Sequence, residues 1–352
     1  MSPLAVPKKE NFFVIAIRIC RQLLTLPSPN FSELVALMGS LIGHVLPGMA
    51  FFFLGLWHLF NHIKLHSLQP NSYTSSPWFP TSKLRYLELF MIMVGSSISI
   101  SMELFIGPAK HQPLDIDGSI PSNHLRNFEH SSISMLFLVY ASFAILLDRL
   151  RANNIKYSLT QLIGAIAFAQ QLFLFHLHST DHHGLEGQYH LLLQFTVVIS
   201  LATTLLGIGL PKSFLVSFVR SVSIVFQGVW LTVMGYMLWT PELIPKGCSL
   251  LNEDGHKIVR CSSQDALNRA KSLVNIQFSW FLIGITISSV TFYLGLVKRY
   301  GKRVMYSSLP KELEELQEES SDVESQKEMK IGDPNSTVIH VGAGLKAFDI
   351  ER

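Results

Sequence analysis

Seven ionisable side chains sit at or near the ends of long apolar segments: His44, Glu103, His130, His176, His178, Glu186 and His190. Neutral imidazole suits zinc, iron or copper, and a carboxylate completes a borderline-hard metal site. Histidines also titrate near neutral pH, so the same set could relay protons. Glu186 and His190 are four residues apart, which puts them on one face of a helix, where they could hold an ion jointly. His176 and His178 are two apart and point about 200° apart on a regular helix, so at most one faces a common centre. The preferred metal set is therefore His130, His176 or His178, and His190, with Glu103 or Glu186 as ligand or general base. A catalytic zinc would take three protein ligands and leave one position for water.

These groups need elements to position them, and the composition says which kind. The chain has 352 residues, 48% hydrophobic and 15% charged, against roughly 25% charge in a soluble domain; its mean hydropathy is +0.32. The net charge of +3 gives no reason to expect a nucleic-acid partner. A bilayer-spanning helix needs about 20 apolar residues. Seven stretches qualify, at Ser40–Phe60, Tyr86–Ile106, His130–Leu150, Leu159–His178, Tyr189–Leu210, Phe214–Trp239 and Val274–Lys298. The predicted fold is an all-α integral membrane protein, a bundle of seven transmembrane helices over residues 38–300. Charged or titratable groups at membrane depth are costly and mark sites, and five consecutive helices here offer His or carboxylate at one level.

Orientation follows the distribution of basic residues. Lys298, Arg299, Lys302 and Arg303 after the last span put the C-terminus in the cytosol and the start of the first span outside or in a lumen. All seven candidate residues then fall at the outer end. The loop between spans six and seven runs against this, with Lys246, Lys257, Arg260, Arg269 and Lys271, though it also carries four acids. Cys248 and Cys261 share that loop and could pair in an oxidising compartment. Residues 1–37 read as an N-terminal extension with a short apolar stretch, Phe12–Leu26, that fits an interfacial helix or a poor signal sequence. Residues 301–352 read as an acidic, disordered cytosolic tail able to recruit partners. Asn30-Phe31-Ser32 is a glycosylation sequon on the side expected to be outside.

Several motifs recur in order on these spans: GHVLPGMAFFFLGLWH from Gly43, MELFIGP from Met102, EHSSISMLF from Glu129, HLH from His176, Glu186-x-x-x-His190, and FQGVWLTVMGYMLWTP from Phe226. Together they resemble the transmembrane protein 45 family, also described as domain of unknown function 716, over about residues 38–300. The resemblance implies a seven-helix protein of the endomembrane system or plasma membrane and no agreed biochemical activity. It includes His44, Glu103, His130, His176, His178 and His190 in the family pattern, and has Glu186 where animal members carry Asp.

The bland alternative for any one of these histidines is a helix-end residue in the headgroup layer. His58, His62 and His66 read as a solvated interface at a cytosolic helix exit, and His182 and His183 as exposed loop residues. Gln170, Gln171, Gln194, Gln227 and Gln277 read as interhelical hydrogen-bond partners, and Trp57, Trp230, Trp239 and Trp280 as belt or packing residues. Three functions stay open: a zinc or iron site acting on a lipid-like or small-molecule ligand, a proton-coupled transporter using the same histidines, and a non-catalytic membrane organiser. A bis-histidine haem is a variant of the first. Beyond these, the partners expected are membrane lipids.

Overall fold

The computed structural model describes residues 41–106, 112–150, 155–181, 184–253 and 256–301, without the side chains of 123, 178–181, 252, 253, 256 and 257. The chain divides into a unit ending at Gly301 and a second from Lys302 to Arg352. The second unit, the Asn30 sequon and the extension 1–37 lie outside the described residues.

Seven helices in the first unit are long and apolar enough to cross a membrane. Among the described residues they are built on α1 Gly43–Leu68, α2 Leu87–Ser101 (with the turn that follows it, a span Leu87–Ile106), α3 Leu125–Arg149, α4 Lys156–Asp181 (span Lys156–Leu177), α5 Leu185–Gly209, α6 Phe214–Trp239 and α7 Gln264–Tyr300. The hydropathy reading found every one, and missed mainly at the ends. α1 continues two turns past Phe60, and α3 starts more than a turn before His130. Backbone hydrogen bonding carries a helix beyond the point where its side chains turn polar.

Exposure is inverted relative to a soluble protein. Phe53, Met91, Phe173, Leu215 and Trp280 are each at least 59% exposed on the helix faces, while serines, threonines and glutamines are buried between helices. That is the pattern a lipid solvent selects. The closest helix pair is α1 against α6, and two glycines make it possible. A Cβ on Gly55 would lie 2.5 Å from the backbone nitrogen of Val225, and one on Gly228 would overlap the Phe52 backbone. α5 completes the centre, where Tyr189, Leu193 and Val197 pack with Trp230, Met234 and Leu238.

Two local features bear on function. α2 ends in a π-helical turn, Met102–Ile106, a form that clusters at functional sites because it re-aims a side chain. Between α6 and α7 lies an antiparallel hairpin, β1 Cys248–Glu253 and β2 His256–Cys261, in which Cys248 faces Cys261. The two cysteines form a disulfide, the pairing the sequence allowed.

Candidate functional site

At the end of the bundle where α1 begins, the π-turn carries Glu103 toward α3. Its carboxylate accepts from His130 Nδ1 (3.2 Å) and from Asn127 Nδ2 (2.9 Å), and both members of the His–Glu pair are about a quarter exposed. His44 lies within electrostatic reach of Glu103. The His44 ring stacks at 4.5 Å on Trp239 and meets the His190 ring edge-on at 6.0 Å. His190 Nδ1 donates to the Glu186 carbonyl (3.1 Å), one turn back on the same helix. His176 Nδ1 donates to Gln194 Oε1 (3.3 Å), whose amide in turn donates to the Phe175 carbonyl.

Of the expected residues, Glu103 meets His130, and His190 meets His44 and the Glu186 carbonyl, all at this end, while His176 contacts Gln194 instead. Among the described residues no group of three or more His, Cys, Asp or Glu comes close enough to hold a metal ion. Glu186 engages His190 through its backbone carbonyl. The side chain of His178, together with His182 and His183, lies outside the described residues.

The opposite end overturns one reading outright. His58 and His62 are not solvated; they are 6% and 0% exposed. The helix that extends past Phe60 holds them inside, under the loop that follows. His58 Nε2 donates to Glu88 Oε1 at 2.7 Å, and Glu88 Oε2 accepts from Trp57 Nε1 and from the Phe79 backbone. His62 sits between Arg220 and Tyr73. A guanidinium can only donate, so Arg220 Nη2 gives to His62 Nε2 (3.3 Å). This fixes the neutral tautomer, whose Nδ1 donates to the Tyr73 hydroxyl (2.9 Å). Tyr73 lies in the loop outside the spans, and burial raises its hydroxyl above the ordinary value. His66, half-buried, stacks on Phe214 at 4.2 Å.

Glu88 and Arg220 carry this second cluster, and both were missed. The signal was present: each is an ionisable residue inside an otherwise apolar span, which is the default mark of a site. Trp57 is more than a belt residue, since its indole N–H is committed to Glu88.

Residues 157–294 match the family of unknown function DUF716. The match agrees with the resemblance drawn from the motifs. HLH, Glu186-x-x-x-His190 and FQGVWLTVMGYMLWTP fall inside it, and the three earlier motifs precede it.

Within the matched residues a buried polar stripe runs between the two ends. On α5 it runs through Glu186, His190, Gln194, Ser200 and Thr204, interrupted by Val197. Steps of three and four residues keep these on one helix face. α6 answers with Ser217, Arg220, Ser223 and Gln227, all buried. Gln227 Nε2 donates to Ser200 Oγ (2.6 Å), Ser200 and Ser223 hydroxyls are bonded at 2.8 Å, and Ser223 Oγ donates to the Arg220 carbonyl (2.8 Å). Gln194, Gln227 and Gln277 act as the interhelical partners the sequence suggested; Gln277 accepts from Tyr189.

Proposed function

We propose that the protein is a polytopic membrane carrier in which protons exchange at the Glu103–His130 pair. The observation that carries the reading is the polar stripe along α5 and α6. Seven helices in lipid could close on one another with apolar or small residues alone. Burying hydroxyls, amides and a guanidinium along the facing sides of α5 and α6 serves instead to solvate something that passes or binds between the helices. A His–carboxylate pair at one mouth of that row suits proton uptake, because its partial exposure admits water and its hydrogen bond couples the two charges.

In this reading the His44 end faces outside or a lumen. The Cys248–Cys261 disulfide supports that direction, because the hairpin joins α6 and α7 next to Trp239 and His44, and disulfides persist in oxidising compartments. The compartment is then the endomembrane system or the cell surface. The test is proteoliposomes containing a pH-sensitive dye and a panel of sugars, amino acids and organic acids. Wild type should collapse an imposed pH gradient faster than empty vesicles with at least one solute, and Glu103→Gln or His130→Ala should slow it about tenfold. Rates equal to those of empty vesicles across the panel would end this reading.

A zinc or iron site at the same end is the second reading, favoured by one detail. Because His190 Nδ1 donates to a carbonyl, the neutral ring carries its lone pair on Nε2, as in histidines oriented for metal. Such a site would need His44, whose ring lies 6.0 Å from that of His190, and the Glu103–His130 pair to draw closer than they stand here. Elemental analysis of protein purified without chelator, beside a His130→Ala, His190→Ala double variant, decides it: metal in the wild type and none in the variant is required.

A further inference from the structure

A carrier opens to one side at a time, so the end opposite Glu103–His130 needs a closure. The loop between α1 and α2 supplies one. From Tyr73 to Phe79 it has no helix or strand, yet Tyr73, Ser75, Trp78 and Phe79 are only 3%, 3%, 4% and 8% exposed. Loops usually run over a surface, because their backbone groups need water. This one turns into the bundle and finds its partners there.

Those partners divide the loop in two. The second half is anchored: the Phe79 N–H donates to Glu88 of α2, and the Pro77 carbonyl accepts from the Tyr140 hydroxyl of α3 (2.7 Å). The first half is held by α1, by α6 and by the turn before α6. Tyr73 accepts from His62, and the Ser75 N–H donates to the Pro211 carbonyl (2.7 Å). Ser217 Oγ donates to Ser75 Oγ (2.8 Å), and Arg220 Nη2 donates to Ser75 Oγ and to the Ser76 carbonyl. Ser217 and Arg220 are also the members of the polar stripe nearest this end of α6. The stripe therefore runs up to the loop and stops against it.

The two attachments differ in kind. Glu88 is a buried carboxylate with three donors around it. Arg220 is a buried cation with no carboxylate within 4 Å among the described residues. Its loop acceptors are a hydroxyl and a carbonyl, and water offers a guanidinium acceptors of the same kind. Lifting the first half thus exchanges protein bonds for water bonds, without stranding a charge as the rupture of a buried ion pair would. The loop also has room beside it. Thr74 and Ser75 line a cavity of about 150 Å³ whose other walls include Tyr157 and Ser158 of α4 and Gly207 of α5.

We infer that Tyr73–Ser76 is a gate over this mouth of the bundle, anchored at Pro77 and Phe79 and latched by Ser217 and Arg220. Its purpose rests on the proton-carrier reading, whereas its opening can be measured without any transport.

The opening is read by thiol labelling of the full chain in detergent, on a Cys20→Ser background. One reporter is Ser221→Cys, fully buried and one helical turn from Ser217; the other is Ser131→Cys, buried near the Glu103 end. A polar maleimide is applied with and without Ser75→Ala, which deletes two latch bonds and leaves the anchor. Ser221→Cys should react about tenfold faster once the latch is cut, the effect of losing a hydrogen bond to a charged group. Ser131→Cys should react at an unchanged rate. No acceleration at Ser221→Cys, or an equal one at Ser131→Cys, would overturn the gate.

The purpose is read by a cross-link. Ser75→Cys with Ser217→Cys replaces two hydroxyls in contact, so oxidation ties the loop to α6. Proton flux in proteoliposomes should then stop and return on reduction, and Ser217→Cys alone should show no difference between the two treatments. Flux that continues through the cross-linked protein would overturn the gate as well. Absence of flux in every sample, wild type included, would end the carrier reading, and the labelling rates would still decide whether the loop opens.

Discussion

The His–carboxylate pairs at the two ends of the bundle have the same chemistry and different surroundings. His130 and Glu103 are 27% and 22% exposed and 3.2 Å apart; His58 and Glu88 are 7% and 3% exposed and 2.7 Å apart. Glu88 has three donors, one of them a backbone N–H. Glu103 has two, and sits on a π-turn rather than on a regular helix. Enclosure on all sides locks a pair into one arrangement, and partial access lets it exchange with water. The His58–Glu88 pair therefore reads as a clamp between α1, α2 and the Trp78–Phe79 loop, and the Glu103–His130 pair as a working group.

Four substitutions sharpen or break that contrast. Glu88→Ala should be the most damaging, since it leaves the His58 and Trp57 donors and the Phe79 N–H buried and unmatched. A loss of about 3–5 kcal/mol is expected from removing one partner of a buried pair, read from denaturant unfolding in detergent. A loss below that of Glu103→Gln would refute the clamp. Replacing Cys248 and Cys261 by Ser comes next, at about 2 kcal/mol. The damage should be confined to the hairpin, so amide exchange should rise in β1 and β2 and stay unchanged at Glu103.

Glu103→Gln should cost under about 1 kcal/mol, as partly exposed pairs do, while slowing proton flux. Stability lost without loss of flux would make this pair structural as well. Gln227→Leu should change stability least. Ser200 keeps its bonds to Ser223 and to the Thr196 carbonyl, and the variant removes a buried Oε1 that has no partner among the described residues. It interrupts the polar stripe all the same, so flux should fall. Unchanged flux would show the stripe to be simple helix–helix glue.

Much of this was legible from residue order. The seven spans announced themselves because lipid demands long apolar runs and internal hydrogen bonding of every backbone group. The level shared by His44, Glu103, His130, His176 and His190 followed from alternation of helix direction. The four-residue spacing of Glu186 and His190 placed them on one face of a helix, and on α5 both are buried. What failed was depth near a boundary: hydropathy ended α1 at Phe60, so His58, His62 and His66 were read as solvated. The loop of Tyr73 to Phe79 folds back over them, and a loop's return path has no periodic signature.

Sequence alone thus determined the number of helices, the polar residues they carry and the end at which each lies, because those depend on local composition and helical period. Tertiary structure alone decided which polar groups meet. Glycine approach of α1 and α6 at Gly55 and Gly228 sets the helix spacing, the π-turn rotates Glu103 onto His130, and Gly207 leaves room for Gln161 and Arg220 to pack against α5. Each of those pairings joins residues far apart in the chain, and contacts at that separation follow from how side-chain volumes fit, which no spacing rule encodes.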